Sequence, residues 1–351
     1  MFFVDLISRE NAEKQKKRKI MNALEKRIIN RYNSISALSR FNGCILAAKD
    51  TDILAAVNLG FADYTQGTPF TGDTIFYIAS LSKMFTSACI LLLKEQGKLK
   101  LTDSVSVYFP DYKNGANVTV KQLLGHMSGI PNFNGIPAFW DMGDKIQLPN
   151  DIYEFIKGMD LEWEPGSKYD YSNTNYILLG LIIEKLSGKS YSDFLAEHIF
   201  APLDMKHSGH IPQTSDIPYI ATGYDTLCPQ PLASEKVNPV IPFAAGGIHS
   251  CVNDLFKWSV GLFNGRILTQ ESLNEMLNVD RGDYGLGVRI EKLEIGGKSY
   301  TTAGHAGLIP GYGAKFARIL ETRHTLILLS NATDIPADLE CFSELIDCIT
   351  E

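Results

Sequence analysis

The chain's 351 residues are 45% hydrophobic and 21% charged, which supplies a sizeable core and excludes a disordered or fibrous protein. With 33 Lys and Arg against 40 Asp and Glu, the formal net charge is -7. The chain as a whole therefore does not attract phosphate backbones, and nucleic acid is not an expected partner. No stretch reaches the roughly 18 uninterrupted apolar residues that a bilayer-spanning helix needs, so a soluble protein is expected.

The opening Met1 to Ile7 is apolar but interrupted by Asp5, with neither a basic lead nor a small-residue cleavage site, and reads poorly as a signal peptide. Both Met1 and Met21 are able to start the chain. The basic run Lys14, Lys16, Lys17, Arg18 and Lys19 reads as a solvated helix face or tail, within a charged helix over Glu10 to Tyr32. Apolar runs at Gly43 to Ala48 and Ile53 to Leu59, separated by Lys49-Asp50-Thr51-Asp52, predict a β-hairpin. A strongly apolar helix follows from Ser80 to a stop near Gly97, with Leu91, Leu92 and Leu93 buried.

Helical spacing recurs at Asn173 to Leu186, Tyr191 to Phe200 and Val252 to Phe263, while Pro131 to Pro149 and Lys206 to Pro242 are loop-rich and read as lids or walls. Strand signals return at Gly285 to Ile290, Tyr312 to Ile319 and Leu326 to Leu329, before a last helix over Ala337 to Ile349. No internal repeat is visible. Strands at both ends with helices between them predict an α+β fold. We expect an N-terminal extension (1–35), an antiparallel sheet domain from 36–80 with 248–351, and an inserted helical domain over 81–247. Cys44, Cys89, Cys228, Cys251, Cys341 and Cys348 lack Cys-x-x-Cys spacing and nearby histidines. They read as free thiols rather than disulfides or zinc ligands, in keeping with the cytoplasm.

The chemistry concentrates in three places. Ser80 and Lys83 stand three residues apart at a helix start, which puts amine and hydroxyl on one face. A serine needs such a base, and a lysine serves only when desolvation or a neighbouring charge lowers its pKa; Ile78, Met84 and Phe85 supply the apolar setting. Further on come Tyr171-Ser172-Asn173 and His305-Ala306-Gly307. The Asn173 amide suits fixing Lys83 and a substrate carbonyl, or alternatively capping the helix of Tyr176, Ile177 and Leu178. Gly307 permits close backbone approach of a substrate to the strand edge. His126 reads as a structural histidine at a helix end, and Gly246-Gly247 as a tight turn ahead of a helix cap near Ser250. No His-x-His or His-Glu-x-x-His spacing occurs, so no metal or other cofactor is expected.

The three motifs come in this order with Leu123-Leu124-Gly125-His126-Met127-Ser128-Gly129-Ile130-Pro131, Glu164-Pro165-Gly166-Ser167, Tyr176 to Gly180, Ala245-Gly246-Gly247 and Tyr284 to Gly287. The set resembles the serine β-lactamase-like family in the branch whose middle motif is Tyr-x-Asn: class C β-lactamases, penicillin-binding proteins, DD-peptidases and family VIII esterases. The likeness runs roughly from Phe41 to Asn331. It implies the β-lactamase/transpeptidase-like fold, with a cleft between the two domains. It also implies a serine hydrolase forming an acyl-enzyme with a small-molecule or peptide substrate (an ester, amide or D-amino-acid peptide), or else a slow-acylating penicillin-binding sensor with little turnover.

By the same resemblance Ser80 is the nucleophile, and Lys83 and Tyr171 share proton transfer. Asn173, His305, Ala306, Gly307 and Leu308 bind substrate, with the Ser80 and Leu308 N–H groups as oxyanion donors. The third motif departs from the family's Lys-Thr-Gly. His305 in the lysine position leaves only partial positive charge, and Ala306 in the threonine position removes a hydroxyl, which weakens the pairing available to a substrate carboxylate.

Overall fold

A computed structural model describes residues 21–31, 41–210, 217–235, 241–295, 297–333, 345–347 and 349. The predicted hairpin is present as β1 (Gly43–Lys49) and β2 (Asp52–Leu59), turning on Asp50, whose φ of 53° suits a tight two-residue connection. It joins β3 (Arg289–Ile295), β4 (Lys298–Ile309), β5 (Tyr312–Ile319) and β6 (His324–Ser330) in a six-stranded sheet of order β3-β4-β5-β6-β1-β2, antiparallel throughout. The two ends of the chain meet where Gly43 pairs with Ser330.

Both faces of this sheet are covered. Ile45, Ala47, Ile319, Leu326 and Leu328 pack with Ile28, Leu345 and Ile346 on one side, while Cys44, Leu46, Phe316, Ile327 and Leu329 face the helical layer on the other. That burial explains why β1, β5 and β6 read as nearly continuous apolar runs. The terminal helices predicted over Glu10 to Tyr32 and Ala337 to Ile349 are helical at 21–31, 345–347 and 349; the rest lies outside the described residues.

Two strand expectations need correction. Gly285 to Val288 is a loop, with Gly287 at φ 79°, and the strand starts only at Arg289. The twelve-residue β4, which carries His305-Ala306-Gly307, gave no strand signal because it is built largely from Ser, Thr, Ala and Gly.

Helix α1 (Ser82–Glu95) is preceded by a 3-10 turn, Ala79–Leu81. Its end is a Schellman arrangement: Lys98 N–H donates to Leu93 O at 3.0 Å and Gly97 N–H to Lys94 O at 2.9 Å, with Gly97 at φ 70°. Leu91 and Leu93 are buried as expected, but Leu92 is only partly so. Helices α2 (Asn173–Ser187) and α3 (Val252–Phe263) fall where their periodicity puts them, and α3 packs on β1 and β6. The Pro131 to Pro149 segment is not irregular: it holds the short turns Phe133–Gly135, Pro137–Trp140 and Gly143–Lys145. In the Lys206 to Pro242 segment, 211–216 and 236–240 lie outside the described residues.

Among the described residues Cys44, Cys89 and Cys251 are buried free thiols and Cys228 is an exposed one. No described helix is long and apolar enough to cross a membrane, and no described group of three or more His, Cys, Asp or Glu is placed to hold a metal.

Candidate active site

The turn that carries Ser80 is gripped from two sides. Ile78 N–H donates to Ile248 O at 3.0 Å, Ile248 N–H donates to Ser82 Oγ at 3.1 Å, and β4 lies against the turn through Gly307. Ala79 is held at φ 47°, a left-handed conformation that costs a non-glycine residue on the order of 1 kcal/mol or more and persists only when its surroundings impose it. Ser80 is thereby presented half-exposed at the start of a helix that is buried from Ser82 to Leu91.

Lys83 is fully buried. Its Nζ lies 2.8 Å from Asn173 Oδ1, 2.6 Å from Ala245 O and 3.1 Å from Ser80 Oγ. The first two are acceptors only; the third is a hydroxyl, which accepts from Nζ and is able to donate to the lone pair of the amine once that is neutral. Burial pushes the Lys83 pKa well below its ordinary value.

Tyr171 stands beside this pair, its ring centroid 4.8 Å from Lys83 Nζ. Its hydroxyl is covered and has no hydrogen-bond partner among the described residues. Burial raises its pKa, opposed in part by the nearby Ser80 hydroxyl, so the resting group is a phenol rather than a phenolate. Asn173 does not cap α2, whose N-cap is Ser172. Instead the loop before α2 braces it: Asn173 Nδ2 donates to Asn134 Oδ1 at 3.2 Å and Asn173 N–H to Asn132 Oδ1 at 3.0 Å.

The third motif is in place but its charge is not. His305 is buried, its Nδ1–H donating to Ala306 O at 2.6 Å and its Nε2 accepting from the Tyr284 hydroxyl at 2.8 Å. Both nitrogens are occupied, and burial lowers its pKa to about 3. The expectation that His305 lends partial charge to a substrate is therefore corrected: the imidazole is neutral and turned inward. Gly307 comes close to the backbone of the turn carrying Ser80, where a Cβ would lie 2.2 Å from Ile78 O, a contact within the chain rather than the expected one with a substrate; Leu308 next to it is 63% exposed. Ala306 pairs across strands with Lys315, so by alternation its methyl group lies on the face opposite to Gly307.

Ser80, Lys83, Tyr171, Asn173, His305 and Gly307 thus lie together. The reading of residues missed the Ala245 carbonyl, the braces Asn132 and Asn134, and Tyr284. Gly246-Gly247 reads first as a turn and only second as cleft lining, because a carbonyl acceptor such as Ala245 O leaves no side-chain pattern.

The buried histidines make stability sensitive to acid. Burial lowers His305 to about 3 and His210, His249 and His324 to about 4, against an ordinary value of 6.5. As pH falls below about 6.5 the unfolded chain takes up protons that the folded one refuses. The histidine contribution is therefore complete above about 6.5 and is lost as pH falls toward the folded values. Thermal melts at pH 7.5 and 4.5 are expected to differ by several degrees, the acid one lower; equal midpoints would contradict the burial of these rings.

Comparisons with known proteins agree with this fold. A family model described as Beta-lactamase matches residues 35–341. The chain is 33% identical over 341 residues to penicillin-binding protein 4* of Bacillus subtilis (strain 168), covering 91% of this chain and 72% of that one. It superposes on the D-amino acid amidase of Ochrobactrum anthropi SV3 complexed with L-phenylalanine amide with a TM-score of 0.78 at 29% identity, over 93% of this chain and 97% of that one. The octameric penicillin-binding protein homologue of Pyrococcus abyssi gives 0.73 at 28% identity, over 90% and 74% of the respective chains.

Proposed function

Because the chain belongs to the beta-lactamase family, we propose that it is a metal-independent serine hydrolase that cleaves an amide, ester or D-amino-acid peptide through an acyl-enzyme at Ser80. The observation that carries this reading is the buried Lys83 amine 3.1 Å from Ser80 Oγ, its pKa pushed well below the ordinary value by burial.

The Ser80 hydroxyl proton passes to the Lys83 lone pair as Oγ bonds to the substrate carbonyl carbon. The Ser80 and Leu308 N–H groups receive the developing oxyanion, where each such donor is worth on the order of 3 kcal/mol. Tyr171, a phenol at rest between this pair and the cleft, relays the proton to the departing nitrogen or oxygen. The C–N or C–O bond then breaks, and water releases the acyl group by the reverse path. Amides are favoured among the substrates by the likeness to an amidase and to penicillin-binding proteins.

A fluorophosphonate probe should form one adduct, mapped by peptide mass to the peptide containing Ser80, and Ser80→Ala should abolish both the adduct and turnover of p-nitrophenyl acetate. An adduct confined to another serine would sink the assignment. A single stoichiometric burst without steady turnover would instead identify a slow-acylating sensor.

A further inference from the structure

The segment from Leu123 to Pro131 carries a motif that this scheme leaves unused, and its histidine lies against Tyr171. The His126 and Tyr171 ring centroids are 4.2 Å apart at an interplanar angle of 36°. His126 is fully buried, with its backbone at φ 54°, a left-handed conformation that is uncommon outside glycine. This conformation turns two acceptors toward the chain that carries Tyr171. The His126 carbonyl accepts from Asp170 N–H at 2.8 Å, and its Nδ1 accepts from Ser172 N–H at 3.1 Å. One residue therefore holds the backbone on either side of Tyr171.

A backbone N–H only donates, so Nδ1 is the unprotonated nitrogen and Nε2 carries the hydrogen. Asn175 Nδ2 lies 3.3 Å from the same Nδ1, and its orientation is set by Ser128 Oγ donating to Asn175 Oδ1 at 2.7 Å. Nε2 has no hydrogen-bond partner among the described residues and is enclosed by the rings of Tyr176 and Tyr284, at centroid distances of 5.1 and 4.8 Å. Burial holds the His126 pKa well below its ordinary value, so the Nδ1 lone pair stays available to the Ser172 N–H.

Building on the serine hydrolase reading above, we propose that His126 is a positioning residue for Tyr171. Through Nδ1 on Ser172 N–H, together with its carbonyl on Asp170 N–H, it fixes the backbone at 170–172, and so aims the Tyr171 hydroxyl at the Ser80 and Lys83 pair. It exchanges no proton during the reaction.

Side-chain isosteres test this. His126→Asn places an amide oxygen where Nδ1 stands and tolerates the left-handed backbone, whereas His126→Gln carries its amide one bond further out, beyond Ser172 N–H. On p-nitrophenyl acetate, His126→Gln and His126→Ala should each lose about 100-fold in kcat, the cost typical of a misplaced reacting group, with KM little changed. His126→Asn should restore most of the loss. Ser80→Ala, assayed alongside, separates the two ideas: if it keeps wild-type turnover, the hydrolase reading itself fails. If Ser80→Ala is inactive while the Asn and Gln variants share one kcat, or the loss appears in KM alone, the positioning role is overturned. Imidazole 15N spectra of the wild-type protein give a test that needs no variant to fold. They should show Nε2 protonated and Nδ1 bare from pH 5 to 8, and a proton on Nδ1 would equally overturn the proposal.

Discussion

Lys83→Met is expected to lower the acylation rate of Ser80 by on the order of 1,000-fold, within the span that loss of a general base produces. Methionine suits the same buried, apolar slot, so the fold should persist. It leaves Asn173 Oδ1 and Ala245 O without their present donor, at about 1 to 3 kcal/mol for each buried acceptor so stranded. The melting temperature should therefore fall, while KM for a small ester stays close to its wild-type value. The pH profile is the sharper readout. Lys83 acts as a base only when neutral, and burial pushes its pKa well below the ordinary value. Wild-type acylation should thus fall as pH drops through that lowered pKa and stay level above it. The residual rate of Lys83→Met should lack this limb. Stopped-flow bursts with p-nitrophenyl acetate measure both effects, and a variant within tenfold of wild type would remove Lys83 from the mechanism.

The same geometry explains what could be read from the chain alone. Helices α2 and α3 were legible because their apolar residues repeat at helical spacing, and the β1–β2 hairpin because two apolar runs flank a polar turn. Strand β4 was not, since Thr301-Thr302-Ala303-Gly304-His305-Ala306-Gly307 lacks the large apolar residues that announce a buried strand. Its glycines stand where a side chain would strike neighbouring backbone: a Cβ on Gly304 would come 2.0 Å from Phe316 O. Tight packing here removed the signal that packing usually leaves. In the site, Ser80 and Lys83 were legible from their spacing and Asn173 from its amide, whereas Tyr171 was legible only through the resemblance of its motif. The neutrality of His305 was not, because it depends on burial and on Tyr284 reaching its Nε2. His126 was legible as a buried histidine, but its hold on 170–172 depends on a positive φ that no local pattern announces.

Gly307→Ala should cost at least about 100-fold in kcat, although it adds a single methyl group in a strand with no left-handed backbone requirement at that position. A Cβ there would lie 2.2 Å from Ile78 O and 2.9 Å from Ser80 N. Both are backbone atoms of the nucleophile turn, so no side-chain rotation relieves the contact. Either β4 retreats or the turn moves, and the turn already carries Ala79 at φ 47°. Each response separates the Ser80 N–H from the β4 edge that bears Leu308, the proposed pair of oxyanion donors. Losing one such donor is worth on the order of 100-fold to 1,000-fold in rate, and the overpacking itself costs about 1 to 3 kcal/mol of stability. Lys83 keeps its partners on α2 and at Ala245, so the acid limb of the pH profile should survive in the residual activity, unlike in Lys83→Met. Gly158→Ala is the matched control, since a Cβ there meets nothing within 4 Å, and it should leave rate and melting temperature unchanged. Steady-state rates and thermal melts of the two alanine variants decide the matter. If Gly307→Ala retains more than a tenth of wild-type kcat, the close seating of β4 on the nucleophile turn does not govern catalysis.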